Sequence, residues 1–267
     1  DRRLRHGGRI RYRSFAAAMS LNSFYWVSAH VSDKGMVRSI NEDACLDRAD
    51  LGIWVVADGM GGHAAGDMAS EMIVNELKSI TPGDSLGALA SDVEQRLQYV
   101  NRQLLLESQR RGGEIIGSTV VTLLTYQGYC IYQWAGDSRI YLYRRERLKQ
   151  LSRDHSQVEE LIEQGIVSSD EAEQSPIANY ITRAVGASEE LELDAEIFEP
   201  CDGDLFLLCS DGLNKEVNDA EIARILGSHG FQEAVQQLID LAMERGARDN
   251  VTLVLVEVRS TQSSAPE

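Results

Sequence analysis

Residues 53–66 read IWVVADGMGGHAAG, from Ile53 to Gly66. Ile53 to Ala57 form an unbroken, β-rich apolar run, as in a strand covered on both faces. Asp58 ends that run. Gly59, Gly61, Gly62 and Gly66 follow, where the backbone can turn tightly or come close to a bound group. A carboxylate at the end of a buried strand is costly unless it is paired or ligated. Asp58 is therefore read as a metal ligand whose partners must come from elsewhere in the chain.

The bulk properties narrow the field. A chain of 267 residues holds one large domain or two small ones. Its 43% hydrophobic and 25% charged content are those of a globular protein. A formal net charge of -16 disfavours a nucleic-acid or anionic-membrane partner, which would want a basic face. No apolar run approaches the roughly 20 residues of a membrane span, and no secretory signal is visible. Cys45, Cys130, Cys201 and Cys209 form no CxxC pair and suggest neither zinc nor a disulfide framework. A reducing cytoplasm is the simplest setting, with Cys130 and Cys209 as small core residues.

Residues 1–18 are read as a basic leader ahead of a native start at Met19, carrying Arg2, Arg3, Arg5, Arg9, Arg11 and Arg13. Phe24 to Val31 is a first strand, and Ser32 to Asp50 a polar loop. A helix from Ala64 puts Met68, Met72, Ile73 and Leu77 on one face, until Pro82 and Gly83 stop it. Leu86, Leu89, Val93, Leu97, Val100 and Leu104 make the clearest helical stripe. Thr119–Thr125, Tyr129–Ala135 and Ile140–Tyr143 are β-like with short connections, which predicts an antiparallel meander.

Leu151 to Gly186 is polar and reads as an excursion beside a site. Leu205 to Cys209 is a buried strand. Asn218 to Glu221 has capping-box spacing. Phe231 to Ala247 is an amphipathic helix, and Val251 to Val258 the last strand. Residues 259–267 form a polar tail. With no repeat and no linker, residues 19–258 are one α+β domain, with antiparallel sheets face to face and helices outside.

Acids recur at the ends of these strands. Asp58-Gly59 and Asp211-Gly212 follow theirs, and Asp249-Asn250 precedes one. Glu42-Asp43 sits in a polar loop, and Gly136-Asp137-Ser138 closes another strand. A lone Asp-Gly is more often a turn than a ligand. Several strand-end acids together are not explained by turns. Antiparallel order brings them to one edge, where a cation relieves their repulsion. All-oxygen ligation suits Mg²⁺ or Mn²⁺ rather than zinc.

These residues resemble the PPM-type, metal-dependent Ser/Thr protein phosphatases, the protein phosphatase 2C family. The matching pieces are RSINEDA (Arg38 to Ala44), VVADGMGGHAAG (Val55 to Gly66), GSTVV (Gly117 to Val121), AGDSR (Ala135 to Arg139), LSRDHS (Leu151 to Ser156), ITRAVG (Ile181 to Gly186), LCSDGL (Leu208 to Leu213) and ARDNVT (Ala247 to Thr252). Each is weak alone; eight in order are specific. GMGGH and the single-domain length are similar to the bacterial branch.

The resemblance implies a four-layer α/β/β/α sandwich with two Mn²⁺ or Mg²⁺ ions at one end and room for a weaker third. Asp58 would bridge both ions, the Gly59 carbonyl would bind one, and Asp211 and Asp249 would complete the other. Glu42 or Asp43 would act near the Asp58-Gly59 ion, the motif not choosing between them. Asp137 would hold the third ion with Asp211. Arg38 would clamp the substrate phosphate, and residues 151–186 would carry a flap. The implied reaction is hydrolysis of phosphoserine or phosphothreonine by direct attack of a metal-bridging hydroxide, opposing a bacterial Ser/Thr kinase, by a monomer.

His63 is the candidate general acid, although animal relatives place histidine directly after the Asp-Gly, where this chain has Met60. His155 is read as structural. Ser118 and Thr119 are read as contacts to a metal water or the backbone, or as core. Two rivals are a phosphoprotein-binding pseudoenzyme and a two-metal hydrolase acting on nucleotides. Retention of Asp58, Asp211 and Asp249 disfavours the first, and the acidic balance disfavours polynucleotides.

Overall fold

Side chains alternate across a strand, and in Ile53–Gly61 (β4) that alternation feeds two separate cores. Ile53, Val55 and Ala57 face helices, while Trp54 and Val56 face a second sheet. Both faces being covered is why the run is continuously apolar. The computed structural model describes residues 11–15, 24–62, 65–168 and 180–261.

Its strands in chain order are β1 (Arg11–Phe15), β2 (Phe24–Asp33), β3 (Asp43–Arg48), β4, β5 (Ile116–Ser118), β6 (Val120–Tyr126), β7 (Tyr129–Ala135), β8 (Arg139–Arg144), β9 (Arg147–Gln150), β10 (Asp194–Phe198), β11 (Leu205–Cys209) and β12 (Val251–Ser260). The helices are α1 (Gly66–Lys78), α2 (Leu86–Arg110), α3 (Gln157–Glu163), α4 (Asp211–Asn214), α5 (Asp219–Ser228) and α6 (Phe231–Glu244).

One sheet runs β1-β2-β12-β11-β8-β9. The other runs β10-β7-β6-β4-β3, with β5 added on β4. All pairings are antiparallel. Trp26, Trp54, Phe206, Leu208, Val254 and Val256 fill the space between the sheets. Outside the second sheet, α1 and α2 bury Ile73, Leu77, Val93, Leu97 and Leu104. Outside the first, α5 and α6 bury Ile222, Ile225, Val235 and Leu238. These are the four layers, α/β/β/α, that the sequence implied.

The helix ends follow the sequence. Ser85 caps α2 by accepting from the Ala88 amide, and Asn218 and Glu221 form the reciprocal capping box of α5. Cys130 lies in the inter-sheet core and Cys209 in the helix-side core.

The structure corrects several readings. The meander is split: β6 and β7 pair in one sheet, β8 and β9 in the other, and residues 136–138 cross between them. Short connections cannot tell a hairpin from a sheet change. Strand β3 lies inside the presumed polar loop. Its polar Asp43 and Asp47 are buried, because Ser28, His30 and Trp54 hydrogen-bond the Asp47 carboxylate and Ser210 bonds Asp43. Strand β4 does not stop at Asp58 but continues to Gly61 by pairing with β5. Strand β12 extends through Arg259 and Ser260, opposite Tyr25 and Phe24. Residues 11–15, within the basic leader, lie antiparallel to β2.

Candidate metal centre

Five chain segments deliver acids to one end of the sandwich. Strands β3 and β4 pair with Asp43 opposite Asp58. Strands β11 and β12 are antiparallel, with Cys209 opposite Leu253, so Asp211 after one and Asp249 before the other share a rim. Cys209 also lies opposite Arg139, which brings the crossing loop with Asp137 to the same place. The two sheets thus contribute Asp43 and Asp58 from one side and Asp211 and Asp249 from the other. Asp137 lies in the link between them.

Gly59 and Gly212, each following one of these acids, serve close approach rather than turning. A Cβ on Gly59 would stand 1.9 Å from the Gly66 carbonyl oxygen, and one on Gly212 would stand 1.9 Å from that of Asn250. Neither has a positive φ. Gly212→Ala should therefore force the Asp211 and Asp249 segments apart and cost roughly 1–3 kcal/mol of stability. A chemical-denaturation midpoint equal to wild type would refute that packing.

Hydrogen bonds fix the rim. The Asn250 side chain accepts from the Glu42 amide at 2.8 Å and donates to the Lys34 and Ile40 carbonyls, both at 2.9 Å. It therefore ties the Arg38 loop to the Asp249 segment. Arg38 reaches Asp249 at 3.0 Å. Ser210 donates to Asp43 Oδ2 at 2.7 Å. The Asp58 amide donates to Thr119 Oγ1, and the Asp58 carbonyl accepts from the Ser118 hydroxyl and the Thr119 amide. Ser118 and Thr119 are thus backbone contacts. His155 stacks on Trp134, accepts from the Gly136 amide and meets Asp194, in keeping with a structural role.

The charge is unbalanced. Burial pushes the Asp43 carboxyl up to about 7, against hydrogen bonds from Ser210 and Thr252, and the charges of Asp211 and Asp249 add to the push. Burial, then Asp211 and Asp154, push Asp137 up to about 7. Asp58 is raised well above the usual carboxylate range by desolvation and then by Asp43, Asp211, Asp137 and Asp249. Asp211 is raised by burial despite its ion pair with Lys215. Three buried carboxylate oxygens, Asp43 Oδ1, Asp137 Oδ1 and Asp211 Oδ1, have no hydrogen-bond partner. Orphaned anionic oxygens in a desolvated rim are what a hard cation would satisfy.

Among the described residues no three His, Cys, Asp or Glu side chains form a ready-made cage for a single ion.

Glu42 and Asp43 now separate. Asp43 lies buried among the other acids. The Glu42 carboxylate lies at the start of α1, bonded to the Gly66 amide, where the N-cap Ala65 supplies no side-chain cap. Burial raises its pKa, opposed chiefly by Arg38. His63 lies outside the described residues. Sequence reasoning missed Lys215, Ser210 and Asn250 as rim builders. Lys215 had a visible signal, an acid four residues before it at helical spacing.

A family model described as Protein phosphatase 2C matches residues 36–255. The chain is 35% identical over 240 residues to the serine/threonine phosphatase stp of Listeria monocytogenes, covering 86% of this chain and 95% of that protein. It superposes on the solved structure of PppA, a key regulatory component of T6SS in Pseudomonas aeruginosa, with a TM-score of 0.81. The identity there is 44%, over 87% of this chain and 97% of that one. The catalytic domain of the serine/threonine protein phosphatase PstP, solved with 2 manganese ions, gives a TM-score of 0.79 and 32% identity, over 89% and 100%.

Proposed function

The chain belongs to the protein phosphatase 2C family, and from that premise we propose that it is a metal-dependent phosphoprotein phosphatase acting on phosphoserine and phosphothreonine. The observation that carries this reading is the rim of Asp43, Asp58, Asp137, Asp211 and Asp249, with orphaned buried oxygens, beside the half-exposed Arg38. Asp58, the Gly59 carbonyl, Asp211 and Asp249 would hold two divalent ions, with Asp43 in support and Asp137 at a weaker third. Such ions, when bound, lower the pKa of a water toward neutrality and polarise the phosphoryl group. Support for a metal comes from the two manganese ions of the PstP structure. The similarity to PppA, a key regulatory component in its own organism, supports a regulatory role, and opposition to a Ser/Thr kinase belongs to this reading. No helix among the described residues is long and apolar enough to cross a membrane.

The chain's own groups have definite tasks in this scheme. Arg38 presents a planar donor fork to the substrate phosphate and exchanges Asp249 for it. His63 is the candidate to protonate the leaving alkoxide. No protein nucleophile is required. Burial pushes the Cys130 and Cys209 thiols up to about 12, so neither is a thiolate near neutral pH. Arg38→Ala should raise KM about tenfold while changing kcat less, because the lost contact is chiefly to bound phosphate. An unchanged KM would remove the clamp from the scheme.

The deciding experiment is phosphate release from a phosphothreonine peptide with Mn²⁺, compared with chelator and with a nucleoside triphosphate. Metal-dependent release from the peptide is expected. Equal release under chelation, or release from the nucleotide alone, would overturn the proposal.

A further inference from the structure

We propose that Lys215 is a tethered cation that occupies the Asp137–Asp211 side of the rim and competes there with a divalent ion. This rests on the rim being the metal centre proposed for the phosphatase. Lys215 follows Asp211 by one helical turn, and its amide closes that turn on the Asp211 carbonyl at 2.9 Å. Leu213 and Val217 on either side are fully buried against the α5–α6 core, so the turn cannot rotate freely. The side chain is aimed at the rim, where its ammonium pairs with Asp211 and its charge also acts on Asp137 and Asp249.

One ammonium does not complete the site. Asp137 Oδ1 and Asp211 Oδ1 are both buried without a hydrogen-bond partner, as is Asn214 Oδ1 in the same turn. Asp137 itself is 9% exposed. A lysine offers three donors and a single positive charge. A hard divalent ion offers twice the charge and a fuller oxygen shell. Both cannot sit on the Asp211 carboxylate without strong repulsion. The consequence is a site graded by competition: an ion that Asp58 or Asp249 also holds binds first, and the ion that depends on Asp137 and Asp211 is the one Lys215 opposes most.

Arg38 pairs with Asp249 in a similar way, but it has a phosphate to move to. For Lys215, solvent is the alternative, since its side chain keeps 36% exposure.

Two measurements on the full chain test this. Calorimetric titration with Mn²⁺ should give tight binding followed by a weak event in the wild type. Lys215→Gln should tighten the weak event roughly ten- to hundredfold and weaken none of the tight ones, whereas Lys215→Arg should retain the wild-type isotherm. A Lys215→Gln isotherm identical to wild type would overturn the inference.

Should Lys215→Gln fail to fold, acylation of lysines in the wild type, read by mass spectrometry, replaces it. Lys215 should be protected at micromolar Mn²⁺ and label several-fold faster at millimolar Mn²⁺; a constant rate would overturn the inference. If the wild type binds no Mn²⁺ at all, the metal centre itself falls, and this inference with it. Tight binding with an indifferent Lys215 sinks the inference alone.

Discussion

Asp58→Asn should lower Mn²⁺-dependent phosphate release by on the order of a thousandfold or more, or about 4 kcal/mol of transition-state stabilisation. The protein should stay folded. Asp58 is the acid most burdened by its neighbours, since desolvation, Asp43, Asp211, Asp137 and Asp249 all act against its charge. Its amide and carbonyl are held by Thr119 and Ser118, and an asparagine leaves those bonds in place. Removing one negative charge from such a cluster relieves repulsion in the metal-free protein. The expected pattern is therefore split: activity collapses, the melting temperature in chelator holds or rises, and the stabilisation by Mn²⁺ shrinks. Near-wild-type turnover, or an unchanged Mn²⁺ shift in melting temperature, would show that Asp58 does not hold the ions. A simple packing residue would lower melting temperature and activity together, which is the opposite signature.

Some of this arrangement was legible in the residues and some was not, for physical reasons. The stripe Leu89, Val93, Leu97, Val100 and Leu104 announced α2, because one apolar face at helical spacing has few other solutions. The run at β4 announced a strand buried on both sides. The acids were legible as a set because Asp58, Asp211 and Asp249 each adjoin an apolar run, and antiparallel order brings such ends together. Strand β3 was hidden because Asp43 and Asp47 are polar residues buried among partners far away in the chain, such as Ser210 and Ser28. The sheet change at residues 136–138 was hidden because a short connection carries no sign of which layer the next strand joins. The sequence reads Gly59 as free to turn or to approach a bound group, but carries no sign that Gly59 and Gly212 each admit a carbonyl from a distant segment. Lys215 went unread because an Asp-to-Lys spacing of four is ordinary on exposed helices and gains meaning only at this rim.

Chelation should abolish activity and also reverse how stability depends on pH. In the metal-free protein Asp43 and Asp137 are held near 7, and Asp58 and Asp211 stand above the ordinary range. In the unfolded chain the same groups ionise near about 4. Between those values the folded protein keeps protons that the unfolded chain has released. Their contribution to stability is therefore full below about pH 4 and is lost as pH rises through about 7.

Divalent ions bind the ionised carboxylates, so their stabilisation runs the other way and grows as protons leave. The gap in melting temperature between Mn²⁺ and chelator should consequently widen from about pH 5.5 to about pH 8. Taking the difference between the two curves cancels every titration remote from the rim, which makes the measurement specific to these acids. A gap that stays constant across that range would mean the raised carboxylates and the ion site are different places. A gap that closes toward the alkaline end would mean the ions bind protonated acids, which no oxygen ligation of this kind allows.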